Sequence, residues 1–495
     1  MTDDNKTPNV PTTANENSAA AEPVETPVAE IPPVATQHVI TVDGKTLDYT
    51  VTTGMMPLKD EEENEIEANL FFMAYTLNDV EDRAERPLMI VFNGGPGAAS
   101  VWLHLGALGP KRVKMQDEGW MPPPPYRLVD NDHTWLDFAD LVFVDPVGTG
   151  FSRATKSDLN KKFWNLEGDL ASVGEFIRLY LTRYERWASP LFLAGESYGT
   201  TRAAGLAGHL FDKGIALNGI VLISTILNFQ TARFERGNDL PYILFLPTYA
   251  AAAWYHKKLP ADLLQREVSD VLAEVEDWAE TEYAVALAKG DRLSAEERAA
   301  LIEKLARYTG LDETYIDQTN MRIHIMRFCK ELLREQKRTV GRIDSRFKGR
   351  DALAVTEFPD FDPSMAAITP PYTAMMNDYV RAQLGYSIDR EYQTLNYATN
   401  REWEWERGQF PDTSEALRGA FARNPYMKVF VAMGLYDLAT PHFAAQYTLS
   451  HMDIDAELQG NIQSAKYEAG HMLYLDVQSL AKLKQDVAAF MAEAL

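Results

Sequence analysis

The run Leu191-Phe192-Leu193-Ala194-Gly195-Glu196-Ser197-Tyr198-Gly199-Thr200 carries a short apolar strand straight into Gly-x-Ser-x-Gly, and Ala/Gly-rich helical sequence follows from Arg202 to Gly208. A serine so placed sits on a strand-to-helix turn too tight for bulk two residues to either side, which Gly195 and Gly199 provide for. Its hydroxyl would stand at the carboxyl edge of a sheet beside the first amides of a helix, where an attacking alkoxide is best placed. A hydroxyl alone is a poor nucleophile. The chain must also supply a histidine, a carboxylate to hold it and donors for an oxyanion.

In an α/β-hydrolase these follow in the order serine, acid, histidine, each on a loop after a successive strand. Asp437 follows the apolar run Val429 to Ala432, and beyond it only His442, His451 and His471 remain. His442 is too near Asp437 to lie on a separate loop, and His451 falls in a polar helix-like run. His471 sits on a Gly-marked turn in Glu468-Ala469-Gly470-His471-Met472-Leu473-Tyr474. The expected catalytic set is therefore Ser197, His471 as the base and Asp437 as its partner, with no cofactor or metal called for. A rival, Ser152 in Gly150-Phe151-Ser152-Arg153-Ala154, follows a strand that has already ended at Asp145-Pro146. After the strand Leu88 to Phe92 comes Asn93-Gly94-Gly95-Pro96-Gly97-Ala98-Ala99-Ser100, where glycines let backbone amides approach an O⁻. The Gly95 amide with that of Tyr198 is the expected oxyanion pair. A dinucleotide loop is the weaker reading, because the third glycine and a following acidic residue are missing.

The elements that must position these residues are legible too. Apolar runs at 88–92, 141–144, 190–194, 219–223 and 428–432 lack polar alternation, as strands covered on both faces should, and helical segments separate several of them. This predicts an α/β-hydrolase fold: a mostly parallel central sheet flanked by helices. Ahead of it Val39 to Val51 alternates around Asp43-Gly44, a hairpin. Between about Leu227 and Pro425 helical periodicity takes over, including the capping box Ser294-Ala295-Glu296-Glu297. The expected division is an acidic, disordered tail over 1–37, core over 38–226 and 426–495, and a mainly helical cap insertion over 227–425. With 495 residues and a net charge of -24, nucleic acid and anionic membrane surfaces are disfavoured as partners. The one cysteine, Cys329, cannot form an internal disulfide. The first residues lack a basic start and an apolar h-region, so a cytoplasmic location is expected for the chain as written, with export as the alternative if a leader has been removed. Oligomeric state is not legible.

Assembled, these residues resemble the serine carboxypeptidases, peptidase family S10. The resemblance rests on Asn93-Gly94-Gly95-Pro96-Gly97, on Asp145 to Ser152, on Gly195 to Gly199 and on Ala469-Gly470-His471-Met472, with Asn238-Asp239-Leu240-Pro241-Tyr242 similar to bacterial-type members. It implies release of single C-terminal residues from peptides with a free C-terminus, whose carboxylate is held by Asn93, Gly94 and a protonated Glu196. A carboxyl that donates a hydrogen bond to another carboxylate needs a raised pKa, which favours acidic pH. Two departures stand out. Ala98-Ala99 replaces the usual Cys-Ser, and Ala107 stands where many members carry a second glutamate before Leu-Gly-Pro. The same triad would serve an esterase or acyltransferase, and an inactive hydrolase frame used for binding is the reading from another class.

Overall fold

A computed structural model describes residues 32–495 apart from positions 61, 63 and 407. The tail expected over 1–37 lies outside the described residues as far as residue 31. Its end needs correction, because strand β1 (Val34–Val42) already begins at Val34. Val34 pairs with Thr53, so sheet pairing begins four residues ahead of the expected core start at 38.

Asp43 and Gly44 take positive φ of 50° and 77°, the backbone a two-residue hairpin needs, and turn β1 into β2 (Lys45–Lys59). β3 (Ile66–Leu77) pairs antiparallel with β2. The parallel part follows: β4 (Leu88–Phe92), β5 (Asp140–Val144), β6 (Leu191–Glu196), β7 (Gly219–Ile223), β8 (Lys428–Gly434) and β9 (Ile462–Tyr467). The spatial order is β1-β2-β3-β5-β4-β6-β7-β8-β9, and every pair from β5 onward is parallel.

The absence of polar alternation has a direct cause. Met89 and Val91 of β4, with Phe192 and Ala194 of β6, enter one hydrophobic cluster; Leu88, Ile90, Phe92, Leu191 and Leu193 enter another on the opposite face. Helices α1 (Leu166–Arg183) and α2 (Tyr198–Asp212) cover the second face. Helix α8 (Val477–Ala494) covers the first with Leu480, Leu483, Val487 and Phe490. At about 25 cal/mol per Å² of apolar surface, such two-sided burial outweighs weak local strand preference.

The segment expected as a cap divides. Helices α3 (Leu240–Tyr255), α4 (Val268–Trp278) and α5 (Ala295–Thr309) share a third cluster, which Leu435, Leu438 and Phe443 of the core also enter. Helix α6 (Pro363–Asp378) instead sends Ile368, Tyr372 and Met376 into the first cluster, and α7 (Ser414–Arg423) sends Leu417 and Phe421 into the second. Helical periodicity shows that a face is buried, not which neighbour buries it. Among the described residues no helix is long and apolar enough to cross a membrane.

Candidate active site

Parallel strands end on one edge, and four of them deliver the expected residues there. β4 leads into Asn93-Gly94-Gly95, β6 into Ser197, β8 toward Asp437 and β9 toward His471. Ser197 has φ 60° and ψ −130°, a strained conformation for a residue with a side chain. Its amide donates to the Ile223 carbonyl at 3.0 Å, and its carbonyl accepts from the Thr200 amide at 2.8 Å. The flanking glycines are required by contact. A Cβ on Gly195 would lie 2.2 Å from the Gly199 carbonyl oxygen, and one on Gly199 would lie 2.9 Å from that of Phe92.

His471 Nδ1 lies 2.7 Å from Asp437 Oδ2, and both residues are buried. The remaining oxygen, Asp437 Oδ1, accepts the amides of Ala439 at 2.7 Å and Thr440 at 3.0 Å. The Thr440 hydroxyl lies 2.8 Å from Asp437 Oδ2, 3.1 Å from His471 Nδ1 and 2.9 Å from the Ser224 carbonyl. With its oxygens accepting from these donors Asp437 faces the ring as an acceptor, which assigns Nδ1 of His471 as the protonated nitrogen. Burial would lower the imidazole's pKa, but the charge and hydrogen bond of Asp437, joined by the Glu196 charge, raise it above the usual 6.5. Ser197 and His471 both face one cavity of about 410 Å³. Their side chains share it without a hydrogen bond between them, and such a contact commonly tightens when substrate binds.

The same cavity is lined by Asn93, Gly94, Gly95 and Glu196. Asn93 is pinned on both sides: its Oδ1 accepts the Leu103 amide at 3.0 Å, and its Nδ2 donates to Glu196 Oε1 at 3.0 Å. Glu196 Oε2 is buried and unpartnered. Burial pushes the carboxyl up to about 7, against the opposing pull of the His471 charge and of the Tyr474 and Asn93 side chains. Tyr474 stands beside it. Ala107, at the position of the missing second glutamate, is fully buried in the turn His104–Leu108, and burial alone already raises Glu196. The Asn93–Gly95 loop presses on the elbow: a Cβ on Gly94 would come within 2.4 Å of the Tyr198 amide nitrogen. Gly95 has φ 102°. The amides of Gly95 and Tyr198 thus belong to segments in close backbone contact.

Ser152, the rival serine, is committed elsewhere. Its hydroxyl donates to the Asp145 carbonyl at 2.6 Å and accepts the Phe71 amide at 2.7 Å, fully buried. His442 likewise turns away, its Nε2 2.9 Å from Glu276 Oε1.

Several supporting residues were not legible beforehand. Thr440 is one; its place three residues after Asp437, where a turn stabilised by the aspartate would put it, is the only hint. Arg202 and Asp169 form a buried ion pair at 2.8 Å that also takes the Asn93 carbonyl at 2.7 Å and the Tyr198 hydroxyl at 3.1 Å. It ties α1 to the elbow, and burial raises the Asp169 pKa despite the adjacent Arg202 charge. The loop Arg342-Ile343 was missed as well. Asp362 accepts both of its amides at 3.1 Å, and the Ile343 carbonyl accepts from the His471 amide at 2.7 Å. Among the described residues no group of three or more His, Cys, Asp or Glu is arranged to hold a metal ion.

The family model described as serine carboxypeptidase matches residues 44–485. Serine carboxypeptidase-like 5 of Arabidopsis thaliana is 30% identical over 155 residues, 31% of this chain and 33% of that protein. Pheromone-processing carboxypeptidase KEX1 of Saccharomyces cerevisiae is 34% identical over 155 residues, 29% of this chain and 20% of that protein. The aligned stretch therefore spans a third or less of these relatives. The crystal structure of KEX1, a prohormone-processing carboxypeptidase from the same yeast, superposes with a TM-score of 0.56 at 17% identity, covering 90% of this chain and 91% of that one. At that identity it bears on the fold, which is that of the α/β-hydrolases.

Proposed function

The chain belongs to the serine carboxypeptidase family, and on that premise we propose that it releases single C-terminal residues from peptides through an acyl-enzyme on Ser197. His471 takes the hydroxyl proton as the oxygen attacks the last peptide carbonyl, and Asp437 steadies the resulting imidazolium. The amides of Gly95 and Tyr198 receive the oxyanion. His471 then protonates the departing amine, and water repeats the sequence to free the shortened peptide.

One observation carries the reading toward peptides with a free C-terminus. Glu196, next to the nucleophile, is a buried carboxyl with an unpartnered oxygen and a pKa near 7, facing the cavity that holds Ser197. A neutral carboxyl there, with Asn93 and the Gly94 backbone, would bind a substrate carboxylate and fix how far the chain end reaches past Ser197. An esterase or acyltransferase would share the triad but leave that site without a task. Placement among bacterial-type members is supported by the residues Asn238 to Tyr242 alone.

Two measurements test this. A fluorophosphonate should label Ser197, and Ser197→Ala or His471→Ala should each lower turnover by ~10⁶-fold, with Asp437→Asn milder at ~10⁴-fold. A blocked dipeptide with a free carboxylate should be cleaved far faster than its amide-capped twin. An adduct on another residue defeats the triad; equal rates for the two peptides defeat the role given to Asn93 and Glu196.

A further inference from the structure

Ser197 also borders a second hollow of about 340 Å³, which begins at Gly95, Ser197 and Tyr198 and is walled by Phe229, Arg233 and Trp405. A peptide whose carboxylate lies against Glu196 and whose scissile carbonyl lies at Ser197 directs the side chain of its penultimate residue into this second hollow. The chemistry of that wall therefore sets what the residue on the acyl side can be.

Arg233 is half-buried, and its guanidinium carbon stands 5.2 Å from the centre of the Trp405 ring and 5.6 Å from that of Phe229. Stacking on two rings holds the guanidinium plane and leaves its N–H edge available for a bidentate acceptor. Among the described residues the guanidinium of Arg233 has no carboxylate partner, and nor does that of Arg342, which borders both hollows. The backbone of Arg342 is tied down, its amide to Asp362 at 3.1 Å and its carbonyl to the Leu438 amide at 3.1 Å. In a chain with net charge -24, carboxylates to neutralise a guanidinium are plentiful. Two left unpaired around the nucleophile are suited to a negative charge that arrives with substrate.

We infer that the hollow beside Arg233 selects peptides with Asp or Glu as the penultimate residue. Arg233 makes charge-assisted hydrogen bonds to that side-chain carboxylate, and Arg342 adds positive potential at the rim. The first hollow has a different character: Trp102, Met326, Met365, Ile368 and Leu395 line it, which suits an apolar side chain on the residue released. This assignment rests on the carboxypeptidase reading.

The test compares kcat/KM for blocked dipeptides carrying Glu, Gln or Lys ahead of a common C-terminal Leu, in the full-length enzyme and in Arg233 variants. Glu should exceed Gln by about tenfold, the scale of one charge-assisted bond, and the margin should shrink as salt is added. Arg233→Met should bring the Glu-to-Gln ratio near one, Arg233→Lys should keep part of it, and Arg233→Glu should shift preference toward the Lys peptide. An inverted preference is not what a purely structural stacking residue would give. A wild-type ratio near one, or a ratio unchanged in Arg233→Met, overturns the inference while the carboxypeptidase reading stands. If no free-acid peptide is cleaved although fluorophosphonate labels Ser197, the carboxypeptidase reading fails and takes this assignment with it.

Discussion

Glu196 and His471 face one cavity and act on each other's charge: an ionised Glu196 raises the His471 pKa, and a protonated His471 lowers that of Glu196. The working form pairs a neutral carboxyl with a neutral imidazole. Above about pH 7 Glu196 ionises, loses its donor and repels the substrate carboxylate; below a His471 pKa that is itself raised, the base is lost. The kcat/KM of a free-acid peptide should therefore peak near neutrality, not at the acidic pH that the family resemblance implies. Its alkaline limb should vanish for an amide-capped or ester substrate, and also for Glu196→Gln, which keeps a donor at every pH. An alkaline limb that persists in the Gln variant would assign the ionisation elsewhere. Stability carries the same signature. The folded-state pKa of about 7 exceeds the usual 4.5, so the contribution of this carboxyl is whole below pH 4.5 and is lost as pH rises through 7. By linkage the loss is about 3 kcal/mol. Glu196→Gln should accordingly raise the urea midpoint over wild type at pH 8 and barely change it at pH 4. No difference between the two pH values would mean the buried carboxyl is better solvated than its surroundings allow.

At the scale of elements, the elbow and the Asn93–Gly95 loop behave as one packed unit, because three glycines meet backbone atoms with no flexible side chain to move aside. Gly195→Ala would set a methyl 2.2 Å from a carbonyl oxygen and should cost the fold itself, seen as a sharp fall in Tm or in soluble yield. Gly94→Ala meets the Tyr198 amide at 2.4 Å. It should push the loop off the elbow and lower kcat by ~10²–10³-fold, the loss expected for a displaced oxyanion donor. Fluorophosphonate labelling would report the same damage independently of peptide binding, and full labelling with full kcat would rule out the close approach. The elbow was readable from residues alone, since its strand, glycines and serine are contiguous in sequence, and the loop because its glycines follow directly on the strand Leu88–Phe92. Asp437 and His471 were readable because each ends a strand in the expected order. Asp169 and Arg202 were not: they lie on different helices, and an Arg–Asp pair carries no pattern that distinguishes it from surface residues; Thr440 offered only its place three residues after Asp437. The start of β1 was missed for a related reason, because Val34 and Thr36 become strand only by pairing with β2.

Across the whole molecule, the inserted segment reads as one helical stretch, yet its hydrophobic faces go to three different clusters. Periodicity could place the helices but not their neighbours, and this was the largest part of the fold that the residues left open. The consequence is that α6 and α7 pack into the core clusters, whereas α3, α4 and α5 meet the core through a cluster of their own that Leu435, Leu438 and Phe443 enter. Glu276 on α4 is central to that joint. Its Oε1 lies 2.9 Å from Nε2 of the fully buried His442 and 2.9 Å from Nζ of Lys466 on β9, so one carboxylate links the cap to two core elements. Burial alone would raise the Glu276 pKa, but the hydrogen bonds and charges of His442 and Lys466 together lower it. The carboxylate is thus ionised at neutral pH, and its contribution is lost only as pH falls below the ordinary glutamate range. Glu276→Ala leaves the buried His442 without that acceptor, which should cost about 1–3 kcal/mol. If the joint governs the cap, amides of α3 and α4 should exchange with solvent some tenfold or more faster in the variant, while those of β4, β6 and β7 keep their protection. Glu276→Gln, which can still accept from His442, should fall between the two. Faster exchange spread evenly over cap and sheet would instead mean that the cap opens only when the whole molecule unfolds, and that the three clusters form a single cooperative core.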